Sequence, residues 1–130
     1  MKIVHGRADG VATQARGETF TGTVWGDPVL PTTTEGNTIN SVTFTPGART
    51  FWHHHERGQI LVVTAGTGWV CTHGETPQPL TVGDVVWVPP GEQHWHGGGP
   101  DTIMTHLAIS LGPTTWLHEV SEDEYGQAGQ

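Results

Sequence analysis

The chain has 130 residues and a formal net charge of −8, and only 14% of its residues are charged. This length allows one domain with a buried core. The acidic balance argues against nucleic acid or an anionic membrane as a partner, because both reward a basic surface. It does not exclude a small anionic ligand, since one local metal ion can reverse the field inside a pocket.

The content of glycine and proline favours short strands joined by tight turns over helices, with 19 glycines and 9 prolines. The single cysteine, Cys71, excludes an intramolecular disulfide. The segment that starts at Met1 lacks the apolar core of a signal peptide, and no apolar run approaches membrane length. These features predict a cytoplasmic protein.

The first half of the chain predicts an arm followed by strands. Residues 1–18 are polar and glycine-rich and indicate an N-terminal arm or an edge strand, ahead of one β domain over 19–120. Residues 20–25 alternate as in a strand that ends at Gly26-Asp27-Pro28. Residues 40–45 alternate apolar and polar side chains, which predicts a strand with two unlike faces.

The second half continues in the same way. A β-branched run over 58–65 predicts a strand that turns at Gly66-Thr67-Gly68 into a partner over 69–72. Further strands are predicted at 85–88, 103–111 and 116–120. The tail, 121–130, is predicted to begin a short helix, because Ser121 precedes Glu124 by three residues as in an N-terminal cap. At least seven strands predict an all-β sandwich or barrel, and periodicity does not choose between them.

Four polar side chains are spaced like metal ligands. His53 and His55 stand two residues apart, so both leave the same face of a strand. Gln59 follows with the same parity, and His94 follows a Pro-Pro-Gly turn. Imidazole nitrogens with one hard oxygen suit a divalent first-row metal such as Mn²⁺, Fe²⁺, Ni²⁺ or Zn²⁺.

These two blocks resemble the paired motifs of the cupin superfamily. The residues that match are Gly47, His53, His55, Gln59 and Gly66 in the first motif and Gly83, Pro89, Gly91, His94 and Gly98 in the second. The chain departs from the motifs at Gln59, where the usual ligand is Glu, and at Gly98, where the motif ends in Asn. The resemblance implies a double-stranded β-helix, or jelly-roll barrel, with His53, His55, Gln59 and His94 as metal ligands.

A closer resemblance is to the small manganese cupins that act as bacterial hydroxynitrile lyases, which also carry Gln in that ligand position. It runs from about Thr19 to the C-terminal end, with similar residues at 52–55, 58–59, 63–66, 83–87, 94–97 and 104–108. It implies bound Mn²⁺ and a carbon–carbon lyase that cleaves or forms cyanohydrins. A neutral amide leaves the full charge of the metal uncancelled, which favours Lewis-acid chemistry and disfavours the higher oxidation states that oxygen chemistry needs.

Two further histidines are candidates for proton transfer. His96 shares the parity of His94 and is expected to point into the barrel. His106 alternates with apolar residues, so it is either an interior histidine bonded to a backbone carbonyl or a proton shuttle. In the lyase hypothesis, His106 or His96 takes the hydroxyl proton of the cyanohydrin and returns it to cyanide. Asn40, Val42 and Ser110 have the parity to line the same substrate pocket.

Two other functions use the same features. A quercetinase-like dioxygenase needs the same ligands together with oxygen consumption, and a non-enzymatic cupin could bind a sugar or a small acid. The expected partner is a small molecule, a cyanohydrin or an aldehyde in the lyase hypothesis. A homo-oligomer, dimer or tetramer, is expected because small barrels leave sheet edges that pairing can cover, with the N-terminal arm as the candidate for crossing to a neighbour.

Overall fold

The computed structural model describes residues 1–128, which form an all-β barrel with one short helix. The strands are β1 Gln14–Arg16, β2 Phe20–Thr21, β3 Val24–Leu30, β4 Thr38–Phe44, β5 Arg49–Thr50, β6 His53–His55, β7 Gln59–Thr72, β8 Gln78–Thr81, β9 Val85–Val88, β10 His94–Gly98, β11 Met104–Ser110 and β12 Thr114–Trp116; the helix is α1 Glu122–Gly126. The predicted all-β class is confirmed. Of the two architectures that the periodicity allowed, a sandwich and a barrel, the structure has the barrel.

Eight strands follow one path around the barrel, in the order β1-β3-β4-β11-β7-β10-β5-β2. Every neighbouring pair on this path is antiparallel. The remaining strands attach to it: β8 and β9 pair with β7, β6 pairs with β10, and β12 pairs with β6. The barrel is therefore nearly closed, and the side chains on its inner face surround a common interior.

The predicted turn at Gly66-Thr67-Gly68 is wrong, because β7 runs through it as one strand of 14 residues. Gly66 has φ +71°, and a Cβ there would lie 1.8 Å from the carbonyl oxygen of Ile103. The register with β11 also shifts just before it, because Thr105 lies opposite Ala65 and His106 opposite Val63, which leaves Thr64 without a partner in the ladder. Gly66 therefore allows a close approach of two backbones next to this bulge, and β7 leaves β11 there and continues along β10.

The predicted stop at Gly26-Asp27-Pro28 is also wrong, because β3 continues to Leu30. β1 pairs only with residues 24–26 of β3, so Pro28 lies where β3 has become an edge strand. The register with β4 is irregular just beyond it, between Pro28 and Leu30. Edges and bulges are the places in a sheet that accept proline.

The strand predicted at 20–25 is divided between β2 and β3, and the remaining strand predictions differ mainly at their ends. The strand at 85–88 is confirmed, and those predicted at 40–45 and 103–111 appear as β4 and β11. The strand predicted at 116–120 is misplaced, because β12 ends at Trp116. Its partner β6 starts at His53, which lies opposite Trp116. Beyond that pair the chain still makes two backbone hydrogen bonds with Trp52, from Leu117 N–H at 2.8 Å and to the His118 carbonyl at 3.0 Å, before it leaves the sheet. Val120 is instead fully buried.

Two apolar clusters stabilise the molecule. The first fills one part of the barrel and includes Phe44, Leu61 and Met104, each completely buried. The second packs α1 against the outside of the barrel and includes Trp95 and Tyr125. The predicted helix is confirmed, with the reciprocal hydrogen bonds of a capping box between residues 121 and 124. The last two residues of the predicted tail, 129 and 130, lie outside the described residues.

The N-terminal arm lies against β3 of its own chain. The backbone N–H of Ala8 donates to the carbonyl of Pro28 at 2.9 Å, and Arg7 forms an ion pair with Asp27 at 3.1 Å. Within residues 1–128 there is no helix with the length and apolar character needed to cross a membrane.

Candidate metal centre

Two short strands bring the histidines of the two sequence motifs together. β6 carries His53 and His55 inward, both buried, while His54 between them is half-buried on the other face. β10 begins at His94, which lies directly opposite His53 in the antiparallel ladder. Gln59 is the first residue of β7 and is also buried. The parity expected from the sequence therefore places all four side chains on the inner face of the barrel.

A compact histidine cluster lies at this point. His53, His94 and His96 each offer a ring nitrogen, and these atoms lie within 4.8 Å of one another in a fully buried setting. The ring of His55 is adjacent, with its centroid 5.0 Å from that of His53. His96 is predicted from the sequence to transfer protons, and the structure places it in the cluster itself. Its spacing of two residues from His94 was the signal that it faces the same interior.

The outer nitrogens of three rings are held by hydrogen bonds. His53 Nδ1 lies 2.8 Å from the carbonyl oxygen of Phe51, and His94 Nδ1 lies 3.0 Å from that of Glu92. His55 Nδ1 lies 2.9 Å from Thr114 Oγ1. A carbonyl only accepts, so Nδ1 carries the proton in His53 and His94, and Nε2 presents its lone pair to the interior. Partners of this kind orient the histidines of metal sites.

Gln59 has an arrangement that favours a cation. Its Nε2 donates to Ser110 Oγ at 3.1 Å, and its Oε1 lies 2.9 Å from His94 Nε2. With the proton of His94 on Nδ1, these two atoms are both acceptors, and their lone pairs repel unless a cation lies between them. His55 Nε2 is buried and has no hydrogen-bond partner within residues 1–128. The donor set of imidazole nitrogens and one amide oxygen fits a divalent first-row metal ion.

Burial keeps these histidines neutral, which is the form that binds metals. Burial, with the neighbouring His94 as a second cause, lowers the pKa of His55 to about 4. Burial likewise lowers the pKa of His94 to about 4 and that of His53 well below its ordinary value. At neutral pH the ring nitrogens therefore do not have to lose a proton before they bind a cation.

His96 of the cluster forms a buried pair with His106. His106 Nε2 and His96 Nδ1 are 2.9 Å apart, so one ring donates a proton to the other. His96 Nε2 and His106 Nδ1 have no partner within the described part of the chain. Burial lowers the pKa of His106 to about 4. The alternative of an interior histidine bonded to a carbonyl does not describe His106, whose partner is a side chain.

A cavity of about 410 Å³ opens above the cluster. Its walls include His53, His55, Gln59 and His96, while His106 lies beyond His96. The expected pocket residues also line it: Asn40, Val42 and Ser110. Lining residues that were not expected from the sequence include Arg16, Glu18, Phe20, Ala108, Thr114 and Trp116. They come from segments whose place in the barrel cannot be read from spacing, although the parity of Ala108 with Ser110 was a usable signal.

Comparison with known proteins gives a consistent family. The profile of the cupin domain family matches residues 40–109. The (R)-mandelonitrile lyase of Granulicella tundricola is 46% identical over 127 residues, which span 88% of this chain and 95% of the relative.

Solved structures agree with this. The crystal structure of a cupin-like protein from Thermotoga maritima has a TM-score of 0.85 and 39% identity, and the match covers 95% of this chain and 100% of that one. A polyketide cyclase from Streptomyces resistomycificus has a TM-score of 0.70 at 22% identity, covering 96% of this chain and 90% of that one. The second similarity concerns the fold alone.

Proposed function

This chain belongs to the cupin family, and we propose that it is a metal-dependent carbon–carbon lyase that cleaves cyanohydrins or forms them from an aldehyde and hydrogen cyanide. The observation that carries the proposal is a buried cluster of neutral histidines completed by an amide oxygen instead of a carboxylate. The similarity to an (R)-mandelonitrile lyase over most of both chains supports it.

The proposed ligands are His53, His55, Gln59 and His94. The hydrogen bonds on their outer atoms support this choice, because each leaves the other nitrogen or oxygen of the side chain with a lone pair that faces inward and can bind a metal ion. The cluster of His53, His94 and His96 supports a second set, in which His96 replaces His55. We propose Mn²⁺ as the metal, and the same donors would also hold Fe²⁺, Ni²⁺ or Zn²⁺.

When bound, the metal supplies Lewis acidity that lowers the pKa of a substrate hydroxyl. His96 lines the cavity, and its Nε2 has no hydrogen-bond partner within residues 1–128, which supports it as the acceptor of the hydroxyl proton in this proposal. His106 supports this step, because the Nδ1–H of His96 can donate to His106 Nε2 at 2.9 Å as His96 becomes positive. The carbon–carbon bond to the nitrile then breaks, its electron pair leaves with cyanide, and the hydroxyl carbon becomes an aldehyde. His96 returns the proton to cyanide and releases hydrogen cyanide.

The cavity walls suit a substrate with an apolar body. Phe20, Val42, Ala108 and Trp116 contribute apolar surface, against which an aromatic or aliphatic group can pack. Asn40 and Ser110 are polar members of the same wall, and Ser110 already accepts a hydrogen bond from Gln59. The pocket therefore combines a proton acceptor, an apolar wall and a few polar groups that can fix orientation.

The test is release of benzaldehyde from mandelonitrile by the manganese-loaded protein. The controls are protein stripped with EDTA and a blank for spontaneous breakdown. We expect release that depends on the metal and exceeds the blank, and EDTA-stripped protein that recovers activity when Mn²⁺ is restored. Release no faster than the blank from protein that holds stoichiometric metal would contradict the proposal, and oxygen uptake would then test the dioxygenase alternative.

We also propose that two copies associate through the outer face of the sheet, which we define by the side chains of β4, β11, β7 and β9 that point away from the cavity. These are Ile39, Ser41, Thr43, Ile60, Val62, Thr64, Val85, Trp87, Thr105, Leu107 and Ile109. None of them is charged, and register places the apolar ones in adjoining rows across the four strands. Val85 is 66% exposed and Trp87 is 55% exposed. A sheet face exposed to water ordinarily carries polar side chains.

A second copy is the partner that suits this face. Each chain carries a net charge of −8, and an uncharged contact surface adds no local like-charge repulsion to that of the two chains. Four strands of about this length make a face roughly 20 Å on each side, or about 400 Å² in outline. This is about half of the roughly 800 Å² that each partner buries in a standard interface, so the face would form the centre of the contact and its surroundings the rest. Packing of two such faces follows the usual geometry of sheet on sheet, and two-fold dimers are the commonest assemblies.

A further inference from the structure

Arg16 places a positive charge inside the cavity of the metal centre. β1 pairs with β3 at the edge of the sheet, and the side chain of Arg16 lies across Gly26 on the inner face. A Cβ at Gly26 would lie 2.2 Å from Arg16 Nε and 2.7 Å from its Cζ. The missing side chain therefore makes the space in which the arginine lies. Its guanidinium ends beside Asn40 on β4, with 3.5 Å between Nη2 and Oδ1.

This guanidinium lacks the partners that the other arginines have. Arg7 pairs with Asp27, Arg49 pairs with Glu122, and Arg57 donates to the carbonyl of Glu35 and to Asn37. Within residues 1–128, the Arg16 guanidinium has no carboxylate at ion-pair distance, and the one hydrogen bond of this side chain is the long contact with Asn40. Glu18 also lines the cavity, but it is exposed and makes no ion pair with Arg16 in that range.

The cavity therefore joins two kinds of binding group across an apolar wall. The metal centre lies at one part of the lining, and the guanidinium of Arg16 lies at another. β11 separates Asn40 on β4 from Gln59 on β7, so their backbones are two strand spacings apart, or about 10 Å. A molecule that reaches both groups needs a polar function at each end and a body of a few carbon atoms or one aromatic ring between them.

We infer that the substrates of this site carry a carboxylate, which Arg16 binds while the hydroxyl or carbonyl group lies at the histidine cluster. The inference rests on the proposed function and names its substrate class: carboxylate-bearing aldehydes and the cyanohydrins formed from them. The guanidinium group can form two parallel hydrogen bonds with a carboxylate, which favours this anion over a monatomic one. The negative charge of the whole chain does not oppose it, because the charge that faces the ligand is the local one.

The test compares two probes of the same shape, 4-(hydroxymethyl)benzoate and 4-(hydroxymethyl)benzamide. Binding to the metal-loaded protein is measured by isothermal titration calorimetry. We expect the wild type to bind the benzoate about tenfold to a hundredfold more tightly than the amide, as for a hydrogen-bonded charge pair. In Arg16→Gln the ratio of the two affinities should fall to about one. Arg16→Lys should keep part of the preference, since it keeps the charge and loses the fork.

Arg7→Gln is the matched control, because it removes the same charge from an arginine that lies outside the cavity and pairs with Asp27. It should keep the preference of the wild type. Thermal unfolding of each variant shows whether it is folded. Equal affinities of the wild type for both probes, or a preference that survives Arg16→Gln, would overturn the inference. So would a preference lost equally in Arg7→Gln, because the effect would then be one of net charge.

The calorimetry does not depend on turnover, so it separates the two proposals. Cleavage of mandelonitrile, which has no carboxylate, tests the lyase activity alone. A wild type that prefers the benzoate through Arg16 but does not cleave mandelonitrile would support the carboxylate site and contradict the lyase activity. A wild type that cleaves mandelonitrile but binds both probes equally would do the reverse.

Discussion

At the scale of single residues, the orientation of each histidine at the candidate metal centre depends on the hydrogen bond made by its Nδ1. His53 and His94 are fixed by backbone carbonyls, which no substitution of a side chain removes. His55 is different, because its Nδ1 bonds to the hydroxyl of Thr114 at 2.9 Å. A hydroxyl can donate or accept, so Thr114 affects which tautomer of His55 faces the interior.

Thr114 is therefore expected to position His55 for metal binding. Thr114→Val keeps the shape and removes the hydroxyl, and should weaken metal affinity by about tenfold to a hundredfold, as for other outer partners of metal ligands. Thr114→Ser restores the hydroxyl and should bind nearly as the wild type does. Competition with a chromophoric chelator measures both. Wild-type affinity in the valine variant would show that Thr114 has no such role.

His55 and His96 compete for the same assignment, and paired substitutions distinguish them. If His55 is a ligand and His96 the proton acceptor, His55→Ala loses stoichiometric metal. His96→Ala should then keep the metal and lose about a hundredfold to ten-thousandfold in cleavage rate, the usual contribution of acid–base catalysis. His106→Ala should behave like His96→Ala. Elemental analysis beside the mandelonitrile assay gives the answer, and loss of metal from His96→Ala with retention in His55→Ala would reverse the assignment.

At the scale of elements, β7 determines the shape of the centre. Its first half pairs with β11 and β9, and its second half pairs with β10 and β8. One strand thus carries Gln59 at its start and later holds the strand that carries His94 and His96. Glycine-rich sequence was interpreted as a turn, and only the close approach of the Ile103 carbonyl shows why the strand needs Gly66 without turning back.

Gly66→Ala tests this account of β7. Positive φ costs an L residue about 1–2 kcal/mol, and the carbonyl of Ile103 adds a clash, because the new Cβ would lie 1.8 Å from it. Gly74→Ala is the control, since Gly74 has φ +83° and nothing within 4 Å of its Cβ position. Urea unfolding should show a clearly larger loss of stability for Gly66→Ala. Equal losses would mean that backbone conformation alone requires Gly66.

At the scale of the whole molecule, buried neutral histidines make stability depend on pH. The folded-state pKa of His55, His94 and His106 is about 4, against an ordinary value of 6.5. Between these values the unfolded chain binds protons that the folded chain does not, so stability rises with pH. The contribution of these histidines to the free energy of unfolding is complete above about pH 6.5. It falls as the pH drops from 6.5 toward 4 and changes little below that.

Urea unfolding of the metal-stripped protein between pH 8 and pH 4 checks this expectation. The midpoint should be steady from pH 8 to about 6.5 and should then decline. Metal should raise the midpoint at neutral pH, and this gain should disappear on acidification, because protons compete for the same nitrogens. A constant midpoint from pH 7 to 4.5 would contradict the assignment of neutral buried histidines.

The state of association is the second property of the whole molecule. Val85→Glu places a charge on the outer face at a position that is 66% exposed, so the monomer should tolerate it and the dimer should not. Thr76→Glu adds the same charge in an exposed loop away from that face. Light scattering should give twice the chain mass of 14.0 kDa for the wild type and Thr76→Glu, and one chain mass for Val85→Glu. A monomeric wild type would refute the proposed interface.

The sequence by itself was sufficient for the fold class, the cupin family and the inward direction of His53, His55, Gln59 and His94. The reason is that side-chain direction in a strand alternates with a period of two, so spacing along the chain is information about space. The family motifs added which strands meet.

Only the tertiary structure decided what depends on contacts between distant segments. It shows that His96 contacts His106, that Arg16 lies across Gly26 and reaches Asn40, and that β7 continues through Gly66 and Gly68 as one strand. Each of these depends on how closely two backbones approach, which no local pattern records. The cavity therefore combines two sets of residues. The sequence indicates the candidate metal ligands, and the fold brings the pair of His96 and His106 and the guanidinium of Arg16 beside them.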